Sequence, residues 1–299
     1  MADDRLHLQH GPIDLILHVD ASEDIRARLY SCAKKRFRTV LEELVAEMDL
    51  LKLPWSADHV APNGRIAQKM FRAVFDSVVF VTPMAAVAGA VADDMLENML
   101  LESQNPDSCV DHISRMYVNN GGDIAFWLNA GESFSIGVVD NLEIPELNTK
   151  ANLTYESPVR GIATSGWRGR SLSLGIADAV TVLAKSAANA DVAATLIANE
   201  VNVDFPGIEK RPASEVKDES DLGMIPVTVA VPNLPEDKIS FALLKGAKTA
   251  REFIKTGKIN TAYLSLQKQI LVIENDDKIE RAKINNQLNT KTTEEIFHE

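Results

Sequence analysis

Met116-Tyr-Val-Asn-Asn-Gly-Gly-Asp-Ile124 runs a short apolar stretch directly onto amide-bearing residues and glycines, and Gly161-Ile-Ala-Thr-Ser-Gly166 repeats the arrangement further along the chain. In both, a strand delivers backbone N–H groups to a turn where an anionic ligand can sit. Glycine lets the main chain approach without a Cβ in the way, and Asn, Thr and Ser add short donors. Asn-Gly and Gly-Gly are also ordinary hairpin residues. Two such turns, with an Asp-x-x-x-Thr pair on a helix soon after them, point to a site. The candidate ligand-binding residues are Asn119, Asn120, Gly121, Gly122, Asp123, Thr164, Ser165 and Gly166.

Around these turns the chain reads as alternating strands and helices. Ile13 to Val19 is a first strand. From Asp24 to Leu53, apolar residues such as Phe37, Val40, Leu41 and Leu44 recur at steps of three and four, which predicts a helix that Pro54 ends. Ile66 to Val74 is a short amphipathic helix. Val78 to Val81 reads as a strand running into Thr82-Pro83, with Thr82 placed to cap a helix that reaches Leu101. Met116 to Val118, Ile124 to Leu128, Phe134 to Val139, Arg160 to Ala163 and Ala179 to Ala184 are strands, and Ala187 to Ala198 is an alanine-rich helix. A polar, loop-like stretch from Pro206 to Leu222 precedes a strand at Val227 to Val231. Asp237 to Lys255 and Ile259 to Leu271 both read as amphipathic helices. The expected fold class is α+β, one domain over residues 1–274 of mixed sheets flanked by helices. The polar segment 275–299 is expected to be a mobile or weakly helical tail.

The 299 residues are 45% hydrophobic and 25% charged, an ordinary globular balance with ample material for a core. A net charge of -12 disfavours tracking a nucleic-acid backbone, although a nest of N–H groups or a metal can still hold a phosphorylated small ligand. Two cysteines, Cys32 and Cys109, are too few for a disulfide scaffold and suit a reducing compartment. The first residues lack the basic start and apolar core of a signal peptide, and the longest apolar stretch, Val78 to Val91, is too interrupted to span a bilayer. A cytoplasmic protein is expected, binding neither membrane nor nucleic acid. A homo-oligomer is compatible with the sequence.

Asp191 and Thr195 stand four apart on the alanine-rich helix and share a face. A carboxylate and a hydroxyl together suit a hard cation such as Mg²⁺. On spacing alone, an exposed Asp and a Thr bonding back to its own helix is the simpler reading. The small residues around them shift the balance, because a closely packed helix tolerates an Asp only with a partner. Asp178, after Gly175-Ile-Ala, is a catalytic base, a further metal-side carboxylate or a turn residue. Asp93 and Asp94 share a helix, with at least one expected on its solvated face and the other reaching the site. Arg160, Arg168 and Arg170 flank Thr164-Ser165-Gly166 and offer phosphate or carboxylate contacts. The six histidines form no metal spacing, and there is no nucleophile elbow, Walker loop or dinucleotide fingerprint.

Together these segments resemble the ApbE superfamily and, more closely, the uncharacterised protein family that is its sister group. Thr82 to Asp93, Val118 to Ile124, Arg160 to Arg170, Gly175 to Val182 and Ala190 to Thr195 carry the resemblance. It implies an ApbE-like fold and, by ApbE chemistry, Mg²⁺-dependent transfer of FMN from FAD to a threonine of a target protein. The ApbE glycine-paired turn looks like Asn120 to Asp123, its Thr-Ser-Gly motif matches Thr164 to Gly166, and its metal-binding Asp and Thr fall on Asp191 and Thr195. The departures are local. Where ApbE proteins carry Lys-Gly-Tyr-Ala-x-Asp, this chain reads Ala88-Gly-Ala-Val-Ala-Asp93, so the Lys and the Tyr are missing and the Asp is kept. A His-Ile-x-Asp-Pro-x-Thr-Gly segment is reduced to Leu174-Gly-Ile-Ala-Asp178. The expectation is therefore a Mg²⁺-dependent transferase or hydrolase acting on a flavin- or nucleotide-like phosphorylated ligand such as FAD, with Asp178 as base. The alternative is a non-catalytic flavin or nucleotide binder.

Overall fold

The computed structural model describes residues 4–103, 112–139, 147–169 and 171–274. The chain opens with a hairpin of β1 (Arg5–His10) and β2 (Ile13–Asp20). Helices α1 (Glu23–Ala46), α2 (Met48–Leu51) and α3 (Arg65–Val74) follow, and a 3₁₀ turn at Pro83–Ala86 leads into α4 (Val87–Ser103). Strands β3 (Arg115–Asn120), β4 (Asp123–Leu128), β5 (Ser133–Val139), β6 (Leu147–Thr154), β7 (Gly161–Ser165) and β8 (Ala179–Ala184) come next, then α5 (Ala187–Glu200). The rest is β9 (Glu209–Pro212), α6 (Ala213–Val216), β10 (Pro226–Ala230), α7 (Glu236–Lys255), β11 (Thr261–Leu266) and β12 (Gln269–Glu274). The expected α+β architecture forms. Its sheets resolve into one of eight strands, ordered β1-β2-β3-β4-β7-β8-β11-β12, and the small pairs β5–β6 and β9–β10. Every pairing is antiparallel.

Strand alternation fixes which face carries the core. In β2, Ile13, Leu15, Leu17 and Val19 are buried and the residues between them are half-buried. These side chains meet α1, α3 and α4 through Val40, Met70 and Met95. At the other half of the sheet, Ala163, Val180, Val182 and Leu264 pack against α5 and α7. On the opposite face, Phe126, Leu153, Ile162 and Leu183 form a smaller cluster that takes in Phe134 and Ile136 of β5. Strand β8 is covered on both sides, so all six of its residues are buried.

Helix α5 joins the two large clusters, with Ala187 and Ala188 in one and Ala190, Ala193 and Ala194 in the other. Its small side chains bring backbones together. A Cβ on Gly89 of α4 would lie 2.3 Å from the Ala187 carbonyl oxygen, and one on Gly161 of β7 would lie 2.0 Å from the Ser186 carbonyl carbon.

Several local expectations are corrected. Ile259 to Leu271 forms most of the β11–β12 hairpin instead of a helix. Its two-residue turn, Gln267-Lys268, takes φ of +46° and +72° without a glycine or asparagine to announce it. Val78 to Val81 is not a strand and pairs with no strand among the described residues. Val78 is 98% exposed, and the Val81 carbonyl accepts the Trp55 N–H instead. The helix expected from Asp24 to Leu53 breaks at Glu47 into α1 and α2. The polar stretch from Pro206 to Leu222 contains β9 and α6, and β1 was not anticipated. Thr82 makes no capping bond, since its hydroxyl pairs with the Asp221 carboxylate. No helix among the described residues is long and apolar enough to cross a membrane. Segment 275–299, Cys109, Arg170 and His298 lie outside the described residues.

Candidate functional site

Gly121-Gly122 is the two-residue turn between paired Asn120 and Asp123 of the β3–β4 hairpin. Its φ values of +64° and +115° are why glycine is needed there. The turn is internally braced, since the Gly122 N–H donates to Asn119 Oδ1 at 2.8 Å, and Asn120 Nδ2 donates to the Ala88 carbonyl at 3.1 Å. Strands β4 and β7 are sheet neighbours, and the Thr164 N–H donates to Asp123 Oδ1 at 3.3 Å. The two glycine-bearing turns, more than 40 residues apart in the chain, therefore meet at the Asp123 carboxylate. The Thr164 hydroxyl pairs with that of Thr181 at 2.8 Å. Ser165 is buried on the β7 face shared with Ala163, and its hydroxyl has no hydrogen-bond partner among the described residues. Gly166 sits so close to the residue before β8 that a Cβ would lie 2.4 Å from the Asp178 carbonyl oxygen.

Helices α4 and α5 are tied to each other by two carboxylates in opposite directions. Asp93 of α4 accepts the N–H groups of Ala187 and Ala188 at 3.0 and 2.9 Å, in the first turn of α5. Ser186 completes that cap by accepting the Asn189 N–H. In return, Asp191 of α5 accepts the Gly89 N–H at 3.0 Å, in the first turn of α4. Desolvation raises the Asp93 carboxyl to about 6, against the pull of its two N–H donors. Desolvation also raises Asp123 to about 7, with the Thr164 N–H working against it. Asp191 is pushed well above the usual carboxylate range by burial and then by repulsion from Asp123, with a smaller push from Asp93.

Asp123 and Asp191 are thus a carboxylate pair from two separate elements, and neither takes part in an ion pair among the described residues. From the sequence, Asp123 belonged to the glycine cradle, whereas in the structure its charge also acts on Asp191. The signal available beforehand was an acidic residue closing a hairpin beside apolar strands. Thr195 follows Asp191 by one helical turn on α5 and is half-buried. No cluster of three or more His, Cys, Asp or Glu side chains suited to a metal exists among the described residues.

Asp178 is fully engaged. Its Oδ1 accepts from Trp167 Nε1 at 3.2 Å and Arg168 Nε at 2.8 Å, and its Oδ2 accepts the Gln267 N–H at 2.6 Å. It fastens the segment after β7 to the β11–β12 turn. The Arg168 guanidinium stacks 4.7 Å from the Trp167 ring centroid. Arg160 turns away to the carbonyls of Tyr155, Ser157 and Val159. Asp94 corrects the expectation of a solvated carboxylate in α4 for a physical reason. It is fully buried between Arg36 at 2.7 Å and Arg65 at 3.3 Å, which supply the charge that burial demands.

Comparison with known proteins places these features in a wider group. The family model described as AbpE bacteria matches residues 1–275. A UPF0280 protein of Methanopyrus kandleri is 31% identical over 221 residues, covering 73% of this chain and 83% of that protein. A UPF0280 protein of Methanocaldococcus jannaschii is 36% identical over 130 residues, 42% of this chain and 48% of that protein. Among solved structures, a mutant of the flavin transferase ApbE from Vibrio cholerae superposes with a TM-score of 0.45 at 14% identity, covering 91% of this chain and 97% of that one.

Proposed function

This chain belongs to the family described as AbpE bacteria, and on that premise we propose that it is a Mg²⁺-dependent enzyme acting on the phosphate linkage of a flavin- or nucleotide-like ligand. The observation that carries the reading is the Asp123–Asp191 pair, two desolvated carboxylates of which Asp123 raises the proton affinity of Asp191, with neither in an ion pair among the described residues. Such a pair fits Mg²⁺, which takes one or two carboxylates and fills its other positions with waters and phosphate oxygens. The same preference agrees with a donor set of fewer than three carboxylates and imidazoles. The buried, unpartnered Ser165 hydroxyl is a second mark of a missing polar partner.

In this reading Asp123 and Asp191 hold the cation, with Thr195 as the neighbouring oxygen donor on α5. When bound, Mg²⁺ neutralises charge on the phosphate linkage and favours its substitution. Ser165 donates to a ligand oxygen, and the exposed face of Arg168 offers charge to the phosphates. Around Gly122 no heavy atom lies near a Cβ position, so a ligand can reach the backbone there. Asp178 holds three N–H donors, and this engagement supports a role in positioning Trp167 and Arg168.

The test is calorimetric titration of Mg²⁺ and FAD into the wild-type chain and into Asp191→Asn, followed by chromatography of FAD incubated with Mg²⁺. FAD cleavage to FMN and AMP that needs Mg²⁺ and is lost in the variant supports the reading. Mg²⁺ binding unchanged in Asp191→Asn would refute it. FAD or nucleotide binding without turnover would favour the second reading, a non-catalytic binder. The alanines at Ala88 and Ala90, where ApbE proteins carry Lys and Tyr, support that alternative.

A further inference from the structure

A cavity of about 440 Å³ lies beyond the C-terminal end of α5, lined by Asn202, Val203, Phe205, Ile208, Lys210 and Lys245. Three elements converge there: the segment leaving α5, strand β9 with Lys210, and helix α7 with Lys245. From Asp191 to Asn202 is 11 residues, about 16 Å at the rise of a helix, so this cavity is separate from the carboxylate pair.

Its chemistry is the reverse of that site. Two ammonium groups face one space, and neither has a carboxylate partner among the ion pairs of the described residues. Lys210 spends one donor on the Leu174 carbonyl at 2.6 Å, which fixes the ammonium and leaves two donors. Asn202 Nδ2 reaches the same carbonyl at 3.3 Å. Desolvation, followed by repulsion from Lys245, lowers the proton affinity of Lys210. An anion between the two ammonium groups would relieve that repulsion. Val203, Phe205 and Ile208 supply an apolar wall, and the volume exceeds what a bare phosphate fills. Asp204 also borders the cavity and is exposed.

We propose that this cavity is a binding site for a small anion, a phosphate monoester or a carboxylate, that carries a flat apolar ring. The anionic head sits between Lys210 and Lys245, and the ring lies against Phe205 and Ile208. Charge-assisted hydrogen bonds to the two lysines supply both affinity and orientation.

Phenyl phosphate and inorganic phosphate are the probes, titrated into the full chain in EDTA so that no cation takes part, with thermal melts of every variant alongside. Saturable binding of phenyl phosphate, at least about tenfold tighter than inorganic phosphate, is expected. Lys210→Gln and Lys245→Gln should each weaken it by about tenfold or more. Asp204→Asn should tighten it by removing a like charge, and Asp191→Asn should leave it unchanged. Absence of saturable binding overturns the proposal, as does equal binding by the lysine variants. Lysine variants that only lower the melting temperature would show that the two ammonium groups serve the end of α5 alone. Binding lost in Asp191→Asn would place the probe at the other site, and would also overturn it.

Discussion

Replacing Asp123 with Asn should make the metal-free protein more stable at neutral pH. A carboxyl raised from 3.8 to about 7 carries a native-state charge that costs up to about 4 kcal/mol, at about 1.4 kcal/mol for each tenfold change in proton affinity. Asn keeps an oxygen for the Thr164 N–H but loses the charge assistance of that bond, about 1 kcal/mol. It also removes the repulsion felt by Asp191. The net gain is about 2–3 kcal/mol, or roughly 5–10 °C in melting temperature for a domain of this size. The sign follows from linkage. The folded state holds a proton that the unfolded state releases, so the wild type is fully stable below about pH 4 and loses stability as pH rises from about 4 to about 7. The gain in Asp123→Asn should therefore be near zero at pH 4 and complete by pH 8. Thermal melts in EDTA across that range measure it. Saturating Mg²⁺ at pH 8 should restore the wild type more than the variant. A variant no more stable than wild type at pH 8, or one equally favoured at pH 4 and pH 8, would refute the uncompensated carboxylate.

Other perturbations test the packing. Gly89→Ala and Gly161→Ala each press a methyl group into the backbone of α5 or its cap, at 2.3 and 2.0 Å, and should cost more than about 3 kcal/mol in urea denaturation or abolish folding. Arg36→Met should cost about 3 kcal/mol by weakening the partnership of buried Asp94. Adding Asp94→Leu should recover most of that loss in the same assay. Lys268→Asn, at φ +72°, should stabilise by about 0.5–1 kcal/mol. Gln267→Gly should not, because the Gln267 side chain accepts the Leu234 N–H and donates to the Pro232 carbonyl.

Where sequence and fold agree, a periodic signal and its punctuation coincide. The buried alternation of β2, the alanine stripe of α5 and the Gly-Gly turn before Asp123 are legible because each states its conformation locally. The β11–β12 hairpin is not, since Gln267-Lys268 holds a left-handed turn through tertiary bonds that the sequence does not display. Val78 to Val81 fails the opposite way, because β-branched residues signal extended chain but cannot supply a neighbouring strand. At the candidate site, the two glycine-bearing turns and the Asp191 position come from the motifs. The influence of Asp123 on Asp191 does not, because it depends on β4 lying beside β7 and on where the fold sets α5. Asp178 looked like a free base because its three N–H donors come from residues 11, 10 and 89 positions away.

The crossed ties between α4 and α5 bear on how such a protein changes over generations. Asp93 and Asp191 each close the N-terminal end of the neighbouring helix. A lineage that gives up the chemistry still needs Asp93 and Asp191 to keep its two central helices joined. Selection for folding alone would preserve both, so losses should accumulate first at residues with no such second duty, such as Thr195 and the Ser165 hydroxyl. Among relatives, those two positions rather than the aspartates are where a retired enzyme would show itself.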